Sequence, residues 1–234
     1  MIGGKRVVAL IPARAGSKSI PRKNLALVGG RSLLGRAIDQ AKGCIEIDRI
    51  FVSTDGSEIA AAAREAGAEV HERPDELASD TALVIDTIRH AQDWLRAQGE
   101  MAEYMCLLEP TTPLRTSDDI AACVRKIDAE ALDSVATFRE VDLNPHRAWR
   151  IEAGTPRPFI DGAVPWLPRQ KLPPAFQLSG SVYVWRIDGL PADSPGLLFG
   201  RMGAVIVDRA RSIDIDGPID LMVVEAQLAK GTPV

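Results

Sequence analysis

Short apolar runs alternate along the chain with longer stretches in which apolar side chains recur every three or four positions. Three strand-then-helix pairs are predicted from this pattern: residues 6–11 with 32–42, 50–53 with 57–65, and 104–108 with 118–127. The alternation is typical of βαβ units, which build a parallel sheet covered by helices on both faces. We therefore predict an α/β fold with a mostly parallel sheet, in which ligands bind beyond the carboxyl ends of the strands.

The pattern changes between residues 140 and 176, where seven prolines interrupt the chain. Proline at that density is incompatible with helix interiors and with central strands. We predict an inserted segment of short irregular strands here, between the two parts of a core that comprises residues 1–139 and 177–234. Regular structure is expected to resume with a strand at 181–185 and to end with a helix over 218–228.

Composition places the chain among globular proteins. Its 234 residues are 46% hydrophobic and 26% charged, which suits one large domain or a domain with an insertion. No apolar run approaches the ~20 residues that cross a bilayer, and the start lacks the apolar core of a signal peptide, so we expect a cytoplasmic protein without a membrane partner. Cys44, Cys106 and Cys123 are too scattered for a disulfide framework or a zinc site, and we expect buried thiols.

Charge is distributed very unevenly along the chain. The net charge is −4, yet the first acidic residue is Asp39, so residues 1–38 carry +8 and the remainder carries −12. This polarity favours a compact anion bound at one place over the extended basic surface that nucleic acid requires. A phosphate-bearing ligand is predicted, and nucleic acid is not.

The stretch IPARAGSKSIPRKN, residues 11–24, follows the first predicted strand. It contains one glycine, two serines, no carboxylate and four cations: Arg14, Lys18, Arg22 and Lys23. It matches neither a Walker A loop nor the GxGxxG dinucleotide fingerprint. Glycine for close backbone approach, hydroxyls and a mixture of Arg and Lys still suit a bound polyphosphate. A solvated surface loop is the alternative that the motif alone leaves open.

The same stretch resembles the opening signature of the acylneuraminate cytidylyltransferases, which make CMP-sialic acid and related activated nonulosonic acids. Further matching segments follow in the family's order: FVSTDGSEIA (51–60), RPDELASDTA (73–82), LLEPTTPLR (107–115), LPRQKLPPAFQLSGSVYV (167–184) and SIDIDGPIDL (212–221). The resemblance covers nearly the whole chain. It implies a Rossmann-like nucleotide-diphospho-sugar transferase fold, CTP as a substrate, Mg²⁺ as the metal, and a homodimer joined through residues 140–176.

Residue by residue, the match implies a nucleotide site in the first half of the chain. Lys18, Arg14 and Lys23 would be the catalytic cations that hold the triphosphate, with Lys18 placed to stabilise the transition state. Ser17 and Asn24 would bind the nucleotide by hydrogen bonding, and Arg73 would contact the cytosine. The loop after Arg73 is also predicted to cap the next helix, because it offers three good N-cap residues: Ser79, Asp80 and Thr81.

Asp214 and Asp216 are the candidate metal ligands. In an extended segment the side chains at i and i+2 share one face, so two carboxylates would converge as Mg²⁺ requires. The alternative makes Asp216 the residue that starts the helix before Gly217 and Pro218. The family match favours the metal, with Asp220 in a supporting position.

The sugar half of the site departs from the family pattern. Glu109 stands where glutamine is usual, and Ser179 stands where many relatives have asparagine, so the acidic nine-carbon sugar need not be N-acetylneuraminate itself. The remaining residues expected to face the substrates are Thr111, Arg115 and Tyr183. Arg169, and more weakly Arg147, would reach a sugar carboxylate in the neighbouring subunit, with a surface ion pair as the alternative.

The preferred hypothesis is a CMP-nonulosonate synthetase. One alternative is another sugar nucleotidyltransferase, for example one acting on an eight-carbon acidic sugar, although the form RAGSKSIPRKN argues against it. A second alternative is a nucleotide-binding module without catalysis, which Lys18, Asp214 and Asp216 oppose. The three histidines are scattered without triad or metal spacing, and no catalytic role is predicted for them.

Overall fold

The computed structural model describes residues 1–79 and 81–231 of the chain. In chain order its strands are β1 (Val7–Pro12), β2 (Leu27–Val28), β3 (Arg31–Ser32), β4 (Arg49–Thr54), β5 (Glu69–Glu72), β6 (Tyr104–Leu107), β7 (Ser134–Glu140), β8 (Trp149–Glu152), β9 (Thr155–Pro158), β10 (Phe176–Arg186) and β11 (Met202–Ile206). Its α-helices are α1 (Leu33–Gly43), α2 (Ser57–Glu65), α3 (Val84–Ala97), α4 (Ser117–Ala129) and α5 (Pro218–Ala229).

A seven-stranded sheet forms the centre, in the order β11-β7-β10-β6-β1-β4-β5. β1 pairs in parallel with β4 and β6, β4 with β5, and β7 with β11. β10 runs antiparallel to both of its neighbours, β6 and β7. The predicted α/β fold with a mostly parallel sheet is therefore confirmed.

Helices cover both faces of the sheet, because the central strands are apolar on both sides. Along β1, Val7, Ala9 and Ile11 pack on one face with α1, α2 and α4, while Val8 and Leu10 pack on the other face with α3. A smaller cluster beside the sheet joins α5 to β2 through Val224 and Val28. Every side chain of β1 except that of Pro12 is buried.

Several predicted elements match the structure closely, and for one expected helix the predicted cap is wrong. α2 has the predicted bounds, and α1, α4 and α5 differ from prediction by one or two residues at their ends. α3 is the helix expected after the loop that follows Arg73; its N-cap is Leu83, which makes no side-chain cap, so the prediction of Ser79 or Thr81 as N-cap is wrong. The third suggested cap, Asp80, and the last three residues of the chain lie outside the described residues.

Between residues 140 and 176 the regular structure is the antiparallel hairpin of β8 and β9, with short 3-10 turns on either side. Its role in dimerisation stays a prediction. Cys44, Cys106 and Cys123 are free and buried, as expected. No helix in the described part of the chain is long and apolar enough to cross a membrane, and the cytoplasmic location stays a prediction.

Candidate active site

The loop after β1 is anchored to the end of the neighbouring strand β4. Ala13 N donates to Ser53 O at 2.9 Å, and Ala15 N donates to a carboxylate oxygen of Asp55 at 2.8 Å. Asn24, which is buried, closes the loop by donating from Nδ2 to Arg14 O at 2.9 Å. These bonds fix the cationic loop at the carboxyl edge of the sheet, where ligands of parallel sheets bind.

A cavity of about 380 Å³, called here the loop cavity, lies beneath this loop. Its lining combines the first loop with residues that follow β5, β6 and β11. The predicted site residues that line it are Arg14, Ser17, Lys18, Lys23, Asn24, Arg73, Glu109, Thr111 and Asp216. Four of these side chains are cations, which makes the loop cavity suitable for a polyphosphate.

Arg22 is the cation of the first loop that lies outside the loop cavity. Its backbone is left-handed, with φ of 53°, and its guanidinium pairs with Glu58 at 2.5 Å on the surface. Both side chains are about two-thirds exposed. The alternative of a solvated charge therefore holds for Arg22, while Arg14, Lys18 and Lys23 share one cavity.

Arg73 is buried and held in one orientation by the end of β4. Its Nη2 donates to Ser53 O at 2.8 Å, and its Nε donates to Ser53 Oγ at 3.2 Å. Burial lowers its pKa to about 10; the charge of Asp55 opposes this change and that of Arg14 adds to it. The guanidinium therefore stays charged at neutral pH in the wall of the loop cavity.

Behind Arg73 lies a pair of histidines that sequence reasoning left without a role. His71 Nδ1 lies 2.9 Å from Ser53 Oγ, and His71 Nε2 lies 2.9 Å from His90 Nδ1. Burial, and then the charges of His90 and Arg73, lower the pKa of His71 to about 4, so it is neutral. The signal available in the sequence was the position of Ser53 and His71 near the ends of adjacent strands.

The segment that carries Asp214 and Asp216 is fixed by the residue between them. Ile215 is fully buried, and its N–H donates to Thr111 O at 2.8 Å. The two carboxylates therefore lie on the opposite side, and both line a second cavity. Lys23 connects this segment to the first loop, since its Nζ donates to Ile215 O at 2.8 Å and lies 3.8 Å from Asp216 Oδ1.

Asp220, and not Asp216, stabilises the start of α5. Its Oδ2 accepts hydrogen bonds from the backbone N–H groups of Asp216, at 2.9 Å, and Gly217, at 2.7 Å. Gly217 is the N-cap of the helix. The interpretation of Asp216 as the helix-starting residue is therefore wrong, and its side chain is 85% exposed at the cavity.

The second cavity, called here the sheet-end cavity, has a volume of about 980 Å³. Glu109 and Asp216 line both cavities, so the two are adjacent. Ser179 and Tyr183 reach it through a bulge of β10 at Gly180, whose φ of +73° is a conformation that favours glycine. Ser179 is nearly buried, with its Oγ 2.6 Å from Thr137 Oγ1.

Carboxylate burial shapes the electrostatics between the two cavities. Burial, and then the charge of Asp214, raise the pKa of Glu109 to about 7, against the opposing effects of Arg115 and Lys23. Burial likewise raises the pKa of Asp214, although a hydrogen bond with Thr111 opposes this increase. Burial and these two carboxylates raise the pKa of Tyr183 to about 12.

Three predicted site residues are not brought to either cavity: Arg115, Arg147 and Arg169. Arg115 is 1% exposed, and its guanidinium donates to Gln40 Oε1 at 3.0 Å, Ser181 O at 2.7 Å and Glu109 O at 3.1 Å, so it fixes the turn that carries Glu109. Arg169 lines a separate cavity of about 550 Å³ beside the inserted segment and forms an exposed pair with Glu140 at 3.1 Å.

Asp214 and Asp216 suit a hard cation that also binds phosphate. Within residues 1–79 and 81–231, no group of three or more His, Cys, Asp or Glu side chains is placed to hold a metal ion. Mg²⁺ is commonly bound by one or two carboxylates together with substrate phosphates and water. The pair therefore fits a metal whose coordination is completed by the substrate.

Comparisons with known proteins place the chain in a family. Residues 8–151 match the family model described as Cytidylyltransferase. CMP-N,N'-diacetyllegionaminic acid synthase of Legionella pneumophila is 30% identical over 225 residues, 94% of this chain and 95% of that protein. N-acylneuraminate cytidylyltransferase of Streptococcus agalactiae is 30% identical over 179 residues, 76% of this chain and 42% of that protein.

Among solved structures, a CMP-2-keto-3-deoxy-manno-octonic acid synthetase complexed with CTP superposes with a TM-score of 0.70. The alignment covers 97% of this chain and 99% of that one at 17% identity, which shows a shared fold. The matched family model and the full-length relative go further than the fold. Together they confirm the resemblance seen in the sequence: this chain is an enzyme of the acylneuraminate cytidylyltransferase family.

Proposed function

We propose that this enzyme transfers CMP from CTP to the anomeric hydroxyl of a nonulosonic acid and releases pyrophosphate. The observation that carries the proposal is the adjacency of two unlike cavities, which share Glu109 and Asp216. The loop cavity, with its four cations, suits the triphosphate, and the larger sheet-end cavity suits the sugar. The names of the relatives support the same pair of substrate classes.

In the reaction the anomeric oxygen forms a bond to the α-phosphorus while the bond from that phosphorus to the bridging oxygen of pyrophosphate breaks, and the proton of the anomeric hydroxyl is released to water. Negative charge builds on the departing pyrophosphate. Arg14, Lys18 and Lys23 would hold the phosphates in line for attack, and Lys18 would follow the developing charge. Positioning and electrostatic stabilisation then supply most of the catalysis.

Arg73 would bind the cytosine base. Two of its nitrogens already donate to Ser53, so the plane of its guanidinium is fixed before the nucleotide arrives. Asn24 would act indirectly, because its side chain donates a hydrogen bond to the carbonyl of Arg14 and so fixes the loop. A preorganised wall of this kind lowers the entropy cost of binding.

Asp214 and Asp216 would hold Mg²⁺. When bound, the ion would neutralise phosphate charge and help to orient the triphosphate. The chain's own contribution is to keep both carboxylates on one side through the burial of Ile215 and to place Lys23 beside them. Asp216→Asn is expected to abolish most pyrophosphate release while the fold stays intact.

The test of the proposal is pyrophosphate release with CTP and a panel of acids: N-acetylneuraminate, legionaminate, pseudaminate and an eight-carbon acidic sugar. Turnover of one nine-carbon acid in preference to the eight-carbon acid is the expected result. Glu109→Gln, which restores the usual residue, is expected to shift preference within the panel. Inactivity with every acid would favour the binding module without catalysis.

A homodimer belongs to the same proposal. The inserted segment exposes a set of large apolar side chains: Leu143, Trp149, Ile151, Phe159, Val164 and Trp166. Trp149 and Trp166 lie with ring centroids 6.1 Å apart, and Trp166 is 84% exposed. A surface patch of this kind is typical of an interface, and a second copy of the chain would cover it.

Sedimentation of two variants tests the proposed homodimer. Trp166→Glu should yield monomers, whereas the control Ile219→Glu, at an exposed position of α5, should stay dimeric.

A further inference from the structure

The sheet-end cavity is strongly acidic except at one end. Six carboxylates line it: Glu109, Asp142, Asp208, Asp214, Asp216 and Asp220. Within the described lining, the cations are Arg139 and Arg209. An acidic sugar that enters this cavity would meet repulsion over most of the wall, and its carboxylate would be attracted to these two arginines.

The fold brings the two arginines together from distant parts of the chain. Arg139 lies near the end of β7, opposite Gln177 of β10, which also lines the cavity. Arg209 follows β11, which runs parallel to β7 and pairs Ile206 with Phe138. Both arginines therefore lie at the carboxyl edge of the sheet, next to the bulge that carries Ser179.

Asp142 is shared by both guanidinium groups. Arg139 Nη2 donates to Asp142 Oδ2 at 2.8 Å, and Arg209 contacts the other oxygen, Oδ1. One carboxylate between two guanidinium groups leaves a net charge of +1. Arg139 is 15% exposed and Arg209 is 57% exposed, so the pair has one fixed and one accessible member.

We propose that Arg139 and Arg209, acting from the same chain as the catalytic loop, bind the carboxylate of the acceptor sugar and select for acidic sugars. The inference rests on the proposed function, because it assumes that the sheet-end cavity holds the sugar. The planar, multiply donating guanidinium suits a carboxylate, and both groups lie close together beside Asp142. Arg169 lines a different cavity of its own chain and pairs with Glu140, and its reach to the sugar of a neighbouring subunit stays a separate prediction.

The first experiment measures the KM for the sugar acid and the KM for CTP separately in each variant. In Arg209→Gln and Arg139→Gln, the KM for the sugar acid is expected to rise about tenfold or more, as for the loss of a charge-assisted pair. The KM for CTP should stay within a factor of about two, because neither residue lines the loop cavity. Arg96→Gln, at a half-exposed arginine of α3 that pairs with Asp93 and lines neither cavity, is the matched control and should keep both constants.

The second experiment distinguishes carboxylate binding from a structural ion pair. Asp142→Asn breaks the same contacts but releases two positive charges, so the KM for the sugar should stay equal or fall. A purely structural role predicts a rise like that of Arg209→Gln. Competition by the sugar's neutral carboxamide adds a charge-specific measurement: the wild type should prefer the acid, and Arg209→Gln should lose that preference.

Calorimetric titration of each acid into the protein separates this inference from the proposed function. Turnover in the wild type with an unchanged sugar KM in both arginine variants would overturn the inference and leave the function standing. Binding of an acid without turnover, lost in the arginine variants, would support the inference and count against the function. Absence of binding by every acid would overturn both.

Discussion

The loop cavity and the sheet-end cavity touch each other yet have opposite character. The loop cavity is lined by four cations, three of which come from ten consecutive residues, 14–23. The sheet-end cavity is lined by six carboxylates and two arginines that come from the ends of β6, β7 and β11 and from the start of α5. The proposed nucleotide site is thus concentrated in one stretch of sequence, whereas the proposed acceptor site is assembled by the sheet.

This difference indicates how each proposed site would bind its negatively charged substrate. A triphosphate needs concentrated positive charge, which one loop can present once its backbone is anchored to Asp55 and Asn24. An acidic sugar must approach that triphosphate without a strong general attraction for anions, and in our proposal a carboxylate-rich cavity with one basic end would provide that selectivity.

The largest expected effect is on catalysis within the first loop. Lys18→Ala should lower kcat by ~10²–10³-fold, the size typical of losing one group that stabilises transition-state charge. Arg22→Ala is the matched control, because it removes a cation from the same loop but outside the cavity. Pyrophosphate release measures both variants, and wild-type-like turnover of Lys18→Ala would refute the assigned mechanism.

Arg115 is expected to matter for stability and not for contact with substrate. Arg115→Met leaves Gln40 Oε1 and Ser181 O without this donor, and each such loss costs about 1–3 kcal/mol, while Glu109 O still accepts from Thr112. The free energy of unfolding in urea should fall by about 3 kcal/mol or more. Arg169→Met, at an exposed site, should change it by less than about 0.5 kcal/mol. Equal effects would contradict the structural role.

His71 makes the wall behind the loop cavity sensitive to acid. Its pKa is about 4 in the folded protein against 6.5 ordinarily, so the unfolded chain binds the proton more readily between these values. The stability that depends on neutral His71 is complete above pH 6.5 and is lost as the pH falls toward 4. At about 1.4 kcal/mol per pKa unit, the loss at pH 4 is roughly 3 kcal/mol.

The control for this titration is His71→Asn, which cannot take up the proton. The difference in unfolding free energy between wild type and variant should shrink as the pH falls from 7.5 to 4.5. Other titrating groups contribute to both proteins and cancel in the difference. A difference that does not change with pH would show that His71 is not the group responsible.

The smallest expected effects separate the two cavities most directly. Ser53→Ala removes the hydroxyl that contacts Arg73 and His71, and should raise the KM for CTP by roughly fivefold, about 1 kcal/mol, with little change for the sugar. Thr137→Val removes the hydroxyl beside Ser179 and should affect the sugar's KM instead. Steady-state kinetics with each substrate varied in turn measures both, and any cross-effect of equal size would mean that the cavities are not independent.

Much of the loop cavity could be predicted from the sequence, because its residues are consecutive and belong to a recognisable signature. Asp214 and Asp216 were also predictable, since alternation around a buried Ile215 sets their common side. The sequence could not show that Arg115 is buried, because its oxygen partners come from α1, the turn after β6 and β10. The burial of Arg115 is determined by packing between distant elements and not by the local sequence pattern.

Other parts escaped prediction for the same physical reason. α3 begins without a side-chain cap at Leu83, so the local signal for its start is weak. The meeting of Arg139 and Arg209 at Asp142 depends on the pairing of β7 with β11, whose residues are some seventy positions apart. Long-range strand order of this kind leaves no trace in a single sequence.

The reversed direction of β10 has a consequence for how such enzymes diversify. Glu140, where the chain leaves the sheet, and Phe176, where it returns, are direct cross-strand partners. A segment whose two ends already touch can be lengthened, shortened or replaced at little cost to the rest of the fold. The stretch between them could therefore be exchanged to change the residues beside the proposed acceptor site, while the proposed nucleotide site stays the same.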